Sequence, residues 1–177
     1  SINMKRFFIF VVAALLAVSD ALFVSAQNGI TELQNLPKTI KSGPYKAGHI
    51  QGIAVDAERK YIYLSYTTML IKADLNGNVV GSVKGLLGHL GCLDFNAKDG
   101  RVYGSLEYKD DGIGKGILKM EKSARKLDNA FYIAIFDVKR ITRMDMDAEK
   151  DGIMTTVYLP TVLDDYLAKV TTNEGEK

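Results

Sequence analysis

Gly48-His49-Ile50-Gln51-Gly52-Ile53-Ala54-Val55-Asp56 returns forty residues later as Gly88-His89-Leu90-Gly91-Cys92-Leu93-Asp94-Phe95-Asn96. Continued without a gap to Tyr66 and Leu106, the alignment has identities at Gly48/Gly88, His49/His89, Ala57/Ala97, Tyr63/Tyr103 and Ser65/Ser105. Conservative pairs stand at Ile50/Leu90, Ile53/Leu93, Val55/Phe95, Asp56/Asn96 and Ile62/Val102. Self-similarity at this period is the mark of a β-propeller blade, a four-stranded meander that buries its faces by stacking on its neighbours. The expected fold class is therefore all-β.

In the first repeat, residues 52–56 alternate, with Ile53 and Val55 expected to point inward, and a polar turn at 57–59 leads to a second alternating run over 60–66. Residues 69–74 make a third strand. Asn76-Gly77, the dipeptide that most readily supplies positive φ at both central positions of a tight hairpin, leads to a fourth at 78–83. Residues 48–87 thus form one blade. The second, 88–159, begins the same way over 90–107, but its third strand at 129–137 matches 69–74 only at an offset of 63 residues. An insertion near 109–128, with a short helix over 117–126, and a second excursion at 138–152 account for the difference. Such insertions decorate one face of a propeller, often the one that binds. After Pro160, Thr161 is placed to cap a short helix over 161–169, with Asp164 and Asp165 in its first turn.

At the other end, Met4-Lys5-Arg6 is a positive n-region, residues 7–18 are almost wholly apolar, and Val24-Ser25-Ala26 has the small residues read by a signal peptidase. Residues 1–26 read as a signal peptide, too short in their apolar run for a membrane span, and 27–47 as an N-terminal segment. The expected location is periplasmic or extracellular. Without residues 1–26 the chain carries 21 basic and 20 acidic residues, so it lacks the electrostatic footprint of a nucleic-acid binder. Cys92 is the only cysteine; an internal disulfide is excluded, and its alternating surroundings predict a small buried side chain. Two blades do not close a ring of four or more, which leads to the expectation of an N-terminal fragment of a longer propeller or of several chains sharing one ring.

The run from His49 to Ser65, residues 69–74 and Asn76-Gly77 resemble the NHL and related six-bladed propeller repeats, with their Gly-Ile-Ala-Val-Asp strand, Tyr-Ile-Tyr-Leu-type strand and Asp-x-Asn-Gly hairpin. Together with the signal peptide and residues 88–96, the pattern is similar to that of exported bacterial propellers with no assigned activity. The resemblance implies a six- or seven-bladed ring and an extracytoplasmic ligand, and it brings no catalytic residue with it.

His49 and His89, the only histidines, begin the innermost strands of both repeats, near the expected channel rim, where a neutral imidazole serves as a ligand contact or as part of a metal site. Their repetition at a repeat position favours the other role, a hydrogen bond within each blade that stitches the inter-blade loop. Asp94 replaces Ala54 and is the one polar departure on an inner strand, a plausible ligand contact. Asp147, Glu149, Asp151 and Gly152 have the alternating oxygen donors of a calcium loop, but Tyr158 stands where the bidentate Glu belongs, so a solvated acidic turn competes with a divalent cation such as Ca. Tyr61, Tyr63, Tyr66, Tyr103 and Tyr108 on or beside the second strands suit packing between blades more than stacking on a ligand. The leading reading is an exported propeller binding a small molecule, glycan or protein at the channel mouth through the loops around His49, His89 and the insertion. The competitor is a metal-assisted hydrolase or lactonase. A purely structural propeller is the third reading, and it predicts an apolar flank at the blade edge.

Overall fold

The computed structural model describes residues 37–168; the signal-peptide segment and Lys169 lie outside them. Contacts divide the chain after Thr39, and the fold is that of the unit from Ile40 onward. Two sheets make it up. The first comprises β1 (Ile50–Asp56), β2 (Tyr61–Tyr66), β3 (Met69–Asp74) and β4 (Val79–Lys84), an antiparallel meander. The second comprises β5 (His89–Asn96), β6 (Arg101–Tyr108), β7 (Ala130–Phe136) and β9 (Met154–Tyr158), also antiparallel. The chain is all-β in class; the described residues include two short α-helices, α1 (Gly112–Met120) and α2 (Pro160–Leu167), and the sheets do not close into a ring.

The register carries the sequence repeat into space. Tyr63 pairs with Lys72 and Tyr103 with Ile135, so the third strands are equivalent at the 63-residue offset. The odd-numbered side chains of β2, Tyr61 and Tyr63, face the second sheet together with Ala54, Leu70 and Val83, and against them lie Leu90, Leu93, Phe95, Val102, Leu106, Ala134 and Phe136. Tyr63 stacks on Phe95 with centroids 6.1 Å apart. Ile62, Leu64, Tyr66, Ile71 and Ala73 face the opposite way, where Ile40, Tyr45 and Ala47 of the N-terminal segment cover them. The first sheet thus packs the face bearing Tyr63 and Ser65 onto the face of the second that does not bear their equivalents.

The sheets approach most closely at their inner strands. A Cβ built on Gly52 would stand 2.7 Å from the Gly91 carbonyl oxygen, inside van der Waals contact, and Ser65 Oγ donates to that same oxygen at 2.6 Å. Outward the sheets diverge, and the wedge is filled by the excursion expected at 138–152, whose Val138, Ile141, Met146 and Ala148, with Ile153, are buried in the same cluster. This excursion does more than decorate a face. Its two-residue strand β8 (Met146–Asp147) joins β4 in parallel, Ser82 N donates to Arg143 O, and Ala148 N to Lys84 O. A fifth strand thereby covers an edge that would otherwise present unpaired backbone.

Several local expectations are corrected. Ile53 and Val55 are 55 % and 43 % exposed while Ala54 and Asp56 are buried, because the side of β1 that meets the second sheet must be narrow enough for the close approach at Gly52. Cys92 is exposed: it is the equivalent of Gly52, on the side of the second sheet that no other sheet covers. At Asn76-Gly77 only Gly77 has positive φ; the turn is a longer one closed by Asp74, whose carboxylate accepts from the Asn76 and Asn78 backbone N–H groups at 2.9 Å. The insertion helix begins at Gly112, where Asp111 caps it by accepting from Gly114 N at 2.9 Å, and stops before Lys122, which has φ of 51°. Pro160 opens α2 directly after Leu159, so Thr161 lies inside the helix and provides no cap, and Asp164 and Asp165 fall beyond its first turn.

Candidate functional site

His89 starts β5 and His49 immediately precedes β1, at the end where β2 gives way to β3 and β6 to the insertion. They find different partners. The Gln51 side-chain amide lies 3.1 Å from His49 Nε2 and 3.4 Å from Thr67 Oγ1, a local stitch on an exposed ring. His89 Nδ1 lies 3.1 Å from Glu107 Oε1, and Glu107 Oε2 accepts the Lys109 ammonium at 3.1 Å. Lys109 also sits over the Tyr166 ring, 5.5 Å from its centroid, which ties the start of the insertion to α2. The side chains of His49 and His89 therefore stitch loops and strand ends, and among the described residues no three His, Cys, Asp or Glu side chains come together as a metal site.

The acidic run 147–151 is used by its own turn. Asp147 Oδ1 accepts from the backbone N–H groups of Lys150 and Glu149, and these bonds hold its carboxyl below the usual aspartate range. Asp151 Oδ2 accepts from Asp147 N at 2.7 Å and pairs with Arg143 at 3.2 Å. Only Glu149 of the three turns elsewhere. Asp94 lies exposed on the outer side of the second sheet, opposite Tyr103 in the register, away from both histidine clusters' hydrogen bonds.

Glu149 instead borders a cleft of about 450 Å3 at the same end of the molecule, where the β4–β5 connection, the excursion and the insertion meet. Its floor is aromatic: Tyr108 and Tyr132 meet edge to face with centroids 5.6 Å apart, and Tyr158 lies beside Tyr132 at 5.3 Å. Burial, followed by the neighbouring Tyr132 and Glu149, pushes the Tyr108 phenol up, so it remains a neutral donor throughout the physiological range. Arg125 and Asp128, from the end of the insertion, complete the rim. Two half-buried rings beside charged groups on a concave surface match the usual make-up of a small-ligand site.

Sequence reasoning placed the insertion on a binding face and named Tyr108, but it missed Tyr132, Arg125 and the role of Glu149. The available signal was Tyr132 in β7, a large ring one pairing step from the start of a strand that follows a charged loop. Lys72 was missed as well. It is buried on the inter-sheet face, and its ammonium donates to the Val138 carbonyl at 2.9 Å and approaches that of Ile141 at 3.4 Å, with the Tyr61 ring 4.3 Å away. Burial pulls its pKa down. The clue was a lysine inside the apolar run Met69–Ala73.

Comparison of the chain with family models, curated proteins and solved structures gives no match. Among the described residues no helix is long and apolar enough to cross a membrane.

Proposed function

We propose that this chain is an exported, propeller-type binding module that holds a small polar ligand with a flat apolar face, of the size of a mono- or disaccharide, in the cleft bounded by Tyr108, Tyr132, Arg125 and Glu149. The observation that carries the reading is the pairing, in one concavity, of half-buried tyrosine rings with the charged side chains of Arg125 and Glu149, which make no ion pair among the described residues. Rings of this kind stack on the apolar face of a sugar while Arg125 and Glu149 take its hydroxyl groups, a division of labour typical of small-molecule sites. The head-to-tail packing of two repeat-related sheets supports the propeller reading, and the insertion that borders the cleft supports its binding face. The hydrolase alternative has no comparable support, since the described residues gather no set of metal-ligating side chains.

Isothermal titration of the protein with a panel of neutral and acidic mono- and disaccharides tests this. At least one is expected to bind, with Tyr132→Ala weakening it roughly tenfold, about the loss of one aromatic contact. Absence of binding across the panel, or an affinity unchanged in Tyr132→Ala, sinks the proposal.

A further inference from the structure

The interface between the two sheets pairs unlike surfaces, and each surface recurs unpaired on the other sheet. On the first sheet, Tyr63, Ser65, Leu70 and Val83 are all buried, on the face that meets β5 at the inner strands and the 138–153 excursion at the outer ones. Their equivalents by register, Tyr103, Ser105, Ile133 and Val157, lie on the outer side of the second sheet, where Val157 is 47 % exposed and Ser105 also open. Conversely, Leu93 and Phe95 of β5 pack into the interface, whereas their equivalents Ile53 and Val55 on β1 stand in solvent. The chain therefore displays at its two ends both halves of a contact it already makes once internally.

The divergent part of that contact is provided for as well. Between the sheets, residues 138–153 fill the wedge; on the outer side of the first sheet, Ile40, Tyr45 and Ala47 cover its middle strands, while Ile53 and Val55 of the inner strand stay bare. On the outer side of the second, Tyr166 of α2 packs on Phe131 with centroids 5.3 Å apart. An approaching sheet would find both faces partly covered and an inner strand open on each, with Val157 of the outer strand still bare.

We infer that the outer face of the second sheet, with Tyr103, Ser105, Ile133 and Val157, docks the β1 face of a second copy of this chain, with Ile53 and Val55, in a head-to-tail contact. Because the two surfaces differ, the contact is heterologous, and its repetition generates a ring or an open array; propeller rings contain four to eight sheets, which corresponds to roughly two to four copies. Cys92 occupies the place of Gly52, so its side chain holds the incoming sheet farther out than the intrachain approach, and the thiol lies within the contact.

The test uses the purified full chain and two substitutions at exposed positions, Ile53→Lys and Val157→Lys, each checked for retained secondary structure by circular dichroism. Light scattering is expected to give a multiple of the 19.5 kDa chain mass for the unmodified protein at roughly 100 µM, a concentration that populates even weak specific contacts. Each variant alone should be monomeric. An equimolar mixture should give a dimer and nothing larger, since it retains one intact pairing of the two surfaces. Alkylation of Cys92 should slow several-fold on association. An unmodified chain that stays monomeric overturns the inference, meaning that these faces serve sheets from elsewhere; so does association that survives in either variant or a mixture that stays monomeric.

Discussion

The two sheets begin alike and end differently. Their first two strands follow the repeat almost residue for residue, and in both hairpins the side chain that ends the first strand accepts from a turn N–H: Asp56 from Arg59 N at 3.0 Å, three residues on, and Asn96 from Lys98 N at 3.0 Å, two residues on. From the third strand onward the first sheet remains a tight meander, while the second takes in the helix α1 before β7 and the 138–153 excursion before β9. The inner strands must converge on a neighbour and tolerate little change. The outer strands lie where the sheets diverge, and there inserted chain fills space that must be filled anyway. The same divergence creates the cleft. The cleft thus lies where packing constraints are weakest, on a scaffold held by the strands that are most alike.

The comparison is broken most forcefully at equivalent positions whose burial differs. Leu70 is fully buried and its counterpart Ile133 only partly so. Leu70→Ala is expected to cost about 2–5 kcal/mol and Ile133→Ala no more than about 1 kcal/mol in the isolated chain, as read by urea unfolding. Equal losses would mean that the outer face of the second sheet is already covered.

A smaller contrast lies one residue pair away. Lys72 and Ile135 are equivalent by register, but only Lys72 reaches across the wedge to carbonyls, those of Val138 and Ile141. Lys72→Met removes that donor and leaves a buried acceptor unpaired, at about 1–3 kcal/mol, whereas Ile135→Met should be close to neutral. If Lys72→Met stabilises the protein, desolvation of the ammonium outweighs its hydrogen bonds.

The smallest effect is a pH dependence. Asp74 in the first sheet's hairpin and Asp147 beside β4 are both held below the ordinary aspartate value of 3.8, Asp74 by the Asn78 side-chain and backbone donors, Asp147 by the Lys150 and Glu149 N–H groups. A lowered folded-state pKa contributes stability that is present above the unfolded value and lost as pH falls through the folded one. The unfolding midpoint should therefore drop as the pH is taken below about 3.8, and Asp74→Asn and Asp147→Asn should each make that drop shallower. An unchanged acid profile in both variants would rule out these turns as its source.

Much of this architecture was legible in the residues. The forty-residue repeat and the period-two alternation specify two antiparallel sheets, and the 63-residue offset of the third strands follows from matching Asp137 to Asp74, because strand length and turn chemistry are local properties written in neighbouring side chains. Alternation alone does not say which side of a strand faces a partner. Ile53 and Val55 are more apolar than Ala54, yet Ala54 is the one that is buried, since the side that packs is chosen by how closely Gly52 lets the Gly91 backbone approach, and that contact spans the two sheets. For the same reason Cys92 is exposed, Met146 and Asp147 join a sheet more than sixty residues earlier in the chain, and the cleft draws Leu87, Tyr108, Arg125, Tyr132 and Glu149 from four separate segments. Local sequence determined the elements and their repeat; which faces meet, which edge is covered and where a ligand would fit were decided by long-range packing, whose energy depends on distances that no single stretch of chain specifies.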